Sequence, residues 1–422
     1  MNPLHHAPDS VPGSPATPAG QDGPPTVDAL LAAADRLAAQ LAETSAGRDA
    51  NRELPVAVFA QIRRLRLGAL RVPVAYGGAG GTWHDVARLF LRLAAGDANI
   101  AQAFLSHFVA VERIRLMGSE AQRQAYLPRA AAGLLFGAAT AERGGQYRGE
   151  LATRLTRDGE QYRLNGTKQY CTGAWYADLL KIRCIDGDGA MISALVPADR
   201  PGIVRLDDWD GMGQRCTASG TTELRDVAVF AGEILPMEAW KTQRHHGGAS
   251  AQIIHCAIDA GIALAALDDA VAWARRGVRP VKESGVQQAA DDPYILHALG
   301  RMSARARAAE AIVLSAADLL ETAAALRFGA AGESSLAACE AAAGQASLAV
   351  AEAKIWSTTV SLEVAQMLFD IGGASTTLRT HNFDRHWRNA RTHTTHDPIA
   401  YKYRALGDFY VNGTLPPLTF SY

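Results

Sequence analysis

The chain has 422 residues, enough for about three domains. Its 42 Lys and Arg against 43 Asp and Glu leave a formal charge of −1, which argues against a basic nucleic-acid binder or an acidic tail protein. Hydrophobic residues make up 48%, ample for a large core, yet no run approaches the ~18 unbroken apolar residues of a membrane span.

Residues 1–25 are rich in Pro, Gly, Ser and Asp. Such a segment buries too little apolar surface to offset its ordering entropy, so a disordered tail is expected. It has no basic or apolar leader, so no secretory signal is expected. From Thr26, suited to cap a first turn, Leu30, Leu31, Ala34, Leu37, Ala38 and Leu41 recur at helical spacing. A second helix follows Glu53-Leu54-Pro55, with Val56, Phe59, Ile62 and Leu65 on one face. Gly77-Gly78-Ala79-Gly80-Gly81 breaks the pattern, which resumes over 85–95, 100–116 and 120–132. Residues 26–136 thus read as an N-terminal helical domain.

Over 137–238 the period shortens. Asp158-Gly159, Asn165-Gly166 and Asp186-Gly187-Asp188-Gly189 are hairpin signals between short runs, and they predict a central domain of antiparallel strands. Residues 239–422 are Ala-rich and mostly helical, with stretches at 250–276, 293–327, 334–370 and 384–392 that suit a helix bundle. The fold class expected is α+β, mainly α. Five scattered cysteines without C-x-x-C spacing suit a reducing, cytoplasmic setting.

The phosphate loop, the strand–G-x-G-x-x-G–helix unit and the G-x-S-x-G elbow are all missing, so their chemistries are not encoded in the usual forms. Histidines are more informative. Of twelve, His381, His386, His393 and His396 crowd together near the C-terminus. His393 and His396 stand i, i+3, about 60° apart on a helix, and Asp397-Pro398 should end that helix. Paired imidazoles there can place a proton donor or polarise a substrate oxygen. The alternatives are polar bundle-end histidines or a metal site, for which Asp397 is the only close carboxylate.

Four segments in helix–β–helix order resemble the acyl-CoA dehydrogenase superfamily: LNGTKQYCTGAWYADLL (164–180), DDWDGMGQRCTASGTTELRDVAVF (207–230), VAQMLFDIGGAS (364–375) and FDRHWRNAR (383–391). RTHTTHDPIAYKYRALGDFYVNGTLPP (391–417) and RPVKESGVQQAADDPY (279–294) are similar to its flavin-dependent monooxygenase branch, that of the dibenzothiophene monooxygenases. The resemblance implies an N-terminal helical domain, a central antiparallel β-barrel and a C-terminal four-helix bundle with an extension. It implies reduced FMN, with FAD as the alternative, delivered by a separate NAD(P)H:flavin reductase. A flavin C4a-hydroperoxide would pass one oxygen atom to a small molecule, foremost an organosulfur compound, otherwise an amine or an aromatic ring. It further implies a homotetramer whose neighbouring subunits complete each site. Metal, nucleic acid and membrane partners are not expected.

Residue roles follow from the same resemblance. Thr172 would meet the flavin through its hydroxyl and backbone N–H, and Thr140 would lie beside the ring system. Trp209 would pack near the flavin and Ser219 would bind the phosphate end. Arg279 would reach the FMN phosphate of a neighbouring subunit. His107 would face the substrate pocket. His396 would manage the proton of the peroxide or substrate, and His393 would orient the flavin or His396. Taken alone, His107 also reads as a core histidine, Arg279 as a solvated helix-end arginine and Thr172 as a sheet-edge threonine. Ala138 and the lid TAERGGQYRGE (140–150) depart from the pattern; Arg143, Gln146, Tyr147 and Arg148 make the lid polar, which points to a polar substrate. Laying RNAR (388–391) on the dehydrogenases' R-D-A-K run puts Asp397 at their carboxylate base. Acyl-CoA dehydrogenation with Asp397 as base is therefore the second reading.

Overall fold

A computed structural model describes residues 23–237, 242–329 and 335–422; the expected disordered tail falls outside it up to residue 22. Helix α1 (Val27–Asn51) starts where the sequence places it, with the Thr26 side chain accepting from the Ala29 N–H, and buries Leu30, Leu31, Ala34, Leu37 and Leu41. Helix α2 (Val56–Arg64) follows Pro55. The runs expected at 85–95 and 100–116 form one element, α3 (Trp83–Met117), interrupted at Asp97 by extended backbone (φ −158°, ψ 110°). The Asp97 carboxylate explains the break. It receives Arg48 at 2.5 Å and the Asn99 N–H at 2.9 Å, restarting the helix as a cap would. Helix α4 (Glu120–Ala131) opens with a Ser119–Gln122 capping box.

Eight strands follow: β1 (Phe136–Ala139), β2 (Arg154–Asp158), β3 (Gln161–Lys168), β4 (Leu179–Ile185), β5 (Met191–Pro197), β6 (Ile203–Arg205), β7 (Thr222–Val229) and β8 (Ile234–Pro236). They run β6-β7-β3-β2-β4-β5-β8, with β1 also on β4. The antiparallel expectation needs correction, because β1 and β2 both meet β4 in parallel. Among the described residues no pair closes β6 on β8, so the sheet is mixed and open rather than a closed antiparallel barrel. Asp158-Gly159 does turn β2 into β3. Asn165-Gly166 does not turn the chain; it lies inside β3 at a bulge. Gly166 is required there because its φ is 154° and a Cβ would come 2.3 Å from the Thr153 hydroxyl.

Among the described residues the C-terminal part holds the long helices α5 (Gly247–Arg276), α6 (Pro293–Phe328) and α7 (Leu336–Met367), a single turn at Phe369–Gly372, and the shorter α8 (Asp384–Thr394) and α9 (Ile399–Asn412). Helix α5 packs against α3, α6 and α7. It is apolar and long enough to cross a membrane, but 94% of that stretch is buried inside the protein. The fourth bundle member expected over 384–392 is the short pair α8 and α9, both laid on α7 and separated at Pro398. The sheet packs its own core around Leu155, Leu180, Ile182 and Val227. Its other side meets the helices, and a cleft remains between them.

Candidate active site

That cleft is a cavity of about 690 Å3, within the ~300–1,000 Å3 of cofactor and small-molecule sites. It gathers Thr140, Thr172, Trp209 and Ser219 from the sheet side and His393 and His396 from the end of α8. These six expected site residues come together across more than 250 residues of sequence.

The loops holding the sheet-side residues are tightly specified. Tyr170, Gln214 and Ala218 adopt left-handed backbone (φ 55°, 52° and 48°), a strain that clusters at functional sites. The Thr172 hydroxyl lies 2.8 Å from that of Ser219, which lies 2.8 Å from that of Thr217. Ser106 of α3 donates to the Thr172 carbonyl at 2.9 Å. The backbone N–H expected to serve a flavin is already committed: Thr172 donates it to the Tyr170 carbonyl at 2.8 Å. Only the hydroxyl is left for a ligand. The Trp209 indole donates to the Gln214 carbonyl at 2.8 Å, and this tethers its ring at the cavity wall.

On the helix side, α8 ends at Thr394 and His396 sits just past it, its N–H donating to the His393 carbonyl at 3.1 Å. His393 is 3% exposed. Its Nδ1 lies 2.5 Å from Asp259 and its Nε2 lies 2.9 Å from Nδ1 of His255. Asp259 also receives Lys354 at 2.8 Å. Burial alone would raise the Asp259 carboxyl, but Lys354 and His393 outweigh it and hold it at about 2. Burial lowers the proton affinity of both His393 and His255, which favours their neutral forms. An anionic Asp259 then accepts the His393 Nδ1–H, and His393 Nε2 accepts from His255. The His255 ring stacks on His396 at 4.4 Å between centroids. His396 in turn places Nδ1 3.3 Å from Asp397. A continuous line of titratable groups thus runs from Lys354 in the core to His396 at the cavity.

His255, Asp259 and Lys354 are functional candidates that reading the sequence missed. For His255 and Asp259 the signal was a His and an Asp four apart in the apolar stretch of α5. One expectation is corrected. His107 does not face the cavity: it is 1% exposed among Phe104, Phe108 and Phe136. Its Nε2 lies 3.0 Å from the Gly68 carbonyl and its Nδ1 accepts from the Phe136 N–H, so it is a satisfied core histidine. Arg279 is exposed in the loop after α5 and does not line the cavity of its own chain. His381 and His386 are structural, His381 against Trp273 and His386 on Asp269. Of Arg143, Gln146, Tyr147 and Arg148 in the lid, Arg143 and Arg148 line the cavity, as do the lid's Thr140, Ala141 and Glu142, and Arg148 donates to the His396 carbonyl at 3.1 Å.

Several buried polar atoms in this wall have no partner among the described residues: Oε1 of Gln102, both amide atoms of Gln214 and Oε1 of Gln252. Unsatisfied groups around one cavity are what a polar ligand completes.

Three family models cover the chain in succession: acyl-CoA dehydrogenase, N-terminal domain, over residues 25–134; the middle domain over 137–227; and the C-terminal domain over 253–400. The chain belongs to the acyl-CoA dehydrogenase family. Within it, the chain is 32% identical to dibenzothiophene monooxygenase of Rhodococcus qingshengii, over 92% of this chain and 94% of that one. It is 30% identical to the probable FMNH2-dependent monooxygenase SfnC of Pseudomonas putida, over 92% and 96%. The FMN-bound crystal structure of TdsC from Paenibacillus sp. A11-2 superposes with a TM-score of 0.86 at 30% identity, over 93% of this chain and all of that one.

Membership of an acyl-CoA dehydrogenase family raises the question of a carboxylate base. Asp397 does not line the cavity with Thr172. It receives the Gln252 amide at 2.6 Å and borders a separate cavity with Tyr401 and Lys402. Although burial opposes ionisation, His396, His255 and Lys402 hold its carboxyl well below the usual range. A strongly held carboxylate turned from the cleft is a poor proton acceptor there, so the structure gives no support to Asp397 as a dehydrogenase base.

Proposed function

We propose that the protein is a flavin-dependent monooxygenase that binds reduced FMN from a separate NAD(P)H:flavin reductase. It inserts one atom of dioxygen into a small organosulfur substrate. One juxtaposition carries this reading: the Thr172–Ser219–Thr217 hydroxyls and Trp209 face the His393–His396 pair across one cavity, where the lining carboxylate of Glu142 is already held by Lys168 and by the Ala152 and Thr153 N–H groups. The relatives named for dibenzothiophene oxygenation and for FMNH2 support it.

The residues present fit FMN. The unpaired amide atoms of Gln214, Gln102 and Gln252 suit a ring and side chain rich in donors and acceptors. Thr140, Thr172, Trp209 and Ser219 would hold it. Bound reduced flavin supplies the electrons that activate dioxygen.

The chain supplies placement and proton control. The Thr172 hydroxyl, shared with Ser219, is oriented before any ligand arrives. His396 keeps Nδ1 against Asp397 and holds or delivers a proton through its other nitrogen. His393, fixed by Asp259, orients His255, and His255 backs His396. Arg148 ties the lid to the His396 backbone and helps exclude water.

The assembly is a homotetramer in this reading, with Arg279 serving the flavin phosphate of a neighbour, a task suited to a guanidinium fork. The five free thiols fit a reducing, cytoplasmic setting. Rapid mixing of the anaerobically reduced protein–FMN complex with oxygenated buffer tests the function. A transient absorbing species between reduced and oxidised flavin is expected, whereas direct one-step reoxidation contradicts the reading.

A further inference from the structure

Strand β4 places two cations where its pattern calls for apolar side chains. Leu180, Ile182 and Cys184 point into the sheet's own core, and Leu179, Lys181 and Arg183 take the opposite face. Leu179 joins the helical core, as expected of that face. Lys181 and Arg183 instead line the cavity. Lys181 is 3% exposed, and among the described residues it has no hydrogen-bond or ion-pair partner. The charges acting on it, those of Arg113, Arg183 and Lys168, all share its sign. Arg183 keeps an unpaired Nε and lays its guanidinium 3.7 Å from the centre of the Phe420 ring.

Other buried lysines in this chain are treated differently. Lys168 is paired with Glu142, Lys354 with Asp259, and Lys402 lies in the field of Asp397. Burying an unpaired ammonium is costly, so burial first, and then the like charges of Arg113, Arg183 and Lys168, push the proton affinity of Lys181 well below the usual lysine range. Phe420 offsets part of this through its ring face, but a ring cannot neutralise two charges. The position also bears on the chemistry. Ser421, next to Phe420, bonds to Asp397 at 3.5 Å, and Asp397 contacts His396. The cations and the proton-holding histidine therefore flank the same C-terminal segment.

We propose that Lys181 and Arg183 form an anion subsite that takes the charged head group of the substrate, a sulfinate, sulfonate or carboxylate. This deepens the monooxygenase reading, on which it rests for the identity of the reacting molecule. The substrate is then a small organic anion rather than a flat neutral thioether. An anion gains a charge-assisted hydrogen bond from the ammonium and one from the guanidinium, and it removes the burial penalty both carry. The flavin phosphate shares this chemistry, so the experiment separates the two sources.

Titration calorimetry of the full chain with methanesulfonate, inorganic phosphate and FMN is decisive, with fluorescence titration of dibenzothiophene as the neutral control. Methanesulfonate binding should weaken by about tenfold or more in Lys181→Met and in Arg183→Met. FMN and dibenzothiophene affinities should stay unchanged. Both variants exchange a buried charge for an apolar chain and should keep the fold, and Lys181→Arg should retain methanesulfonate. Absence of methanesulfonate binding to the wild type overturns the subsite. So does a parallel loss of FMN and phosphate affinity, which would assign the cations to the flavin phosphate. Methanesulfonate binding that tracks Lys181 in a protein unable to bind FMN would uphold the subsite and sink the monooxygenase reading.

Discussion

His255 and His393 share a 2.9 Å hydrogen bond on the buried floor of the cavity, although 138 residues separate them. That bond joins a charged core pair to an imidazole at the cleft. Replacing His255 with Ala should lower the oxygenation yield per flavin turnover by about ten- to hundredfold while leaving FMN affinity unchanged. Product per NADH consumed in a reductase-coupled assay checks this, and an unchanged ratio would mean that the bond only packs the core.

His396 stands at the end of the same line. In His396→Ala the yield should fall more than flavin affinity does. Kd for FMN by fluorescence titration, set beside product yield, separates the two effects, and loosened FMN with normal yield would refute the role given to His396.

Much of this fold was legible in the sequence. Thr26 and Pro55 mark helix starts by local chemistry, so α1 and α2 could be read directly, and the gap between the runs at 85–95 and 100–116 fell at the interruption inside α3. The mixed sheet could not, because β1 and β2 reach β4 through parallel pairings that leave no hairpin turn between them. Asn165-Gly166 misled for the opposite reason, since a turn dipeptide serves a bulge. Thr172 and Ser219 rested on the resemblance, whereas His393 and His396 stood out by their i, i+3 spacing. Lys354 could not be found, because its partner Asp259 lies 95 residues away. The resemblance placed His107 at the pocket, while its apolar helix, which reads alike for a cavity wall and a core, left the core histidine open.

Core histidines make the protein acid-sensitive. Burial lowers His107 to about 4 and His386 to about 4, in each case against an opposing hydrogen bond. In the unfolded chain both titrate near ~6.5. The unfolded state therefore binds more protons between these values, and stability falls as pH falls through that window. The slope should be about 2–3 kcal/mol per pH unit from the two together. Urea midpoints measured from neutral pH down into the carboxylate range check this; a flat profile until carboxylates titrate contradicts it.

Lys354 and Asp259 are both buried, 2.8 Å apart. Lys354→Met leaves the carboxylate without its main countercharge and should destabilise the fold by about 3–5 kcal/mol. Chemical denaturation measures it, and a loss below ~1 kcal/mol would show that the pair contributes no more than a surface contact.

The Thr172 hydroxyl has Ser219 as its partner, while its backbone N–H is committed to Tyr170. Thr172→Val should cost about ten- to thousandfold in oxygenation rate, and Thr172→Ser should restore most of it. Loss in Thr172→Ser with little loss in Thr172→Val would point instead to packing of the methyl group.

The most direct test of the central claim follows the oxygen itself. Turnover of an organosulfur substrate with FMN, a flavin reductase and isotopically labelled dioxygen should give a product carrying one labelled atom. A product that draws its oxygen from water, or an acyl-CoA desaturated without oxygen incorporation, would contradict the account.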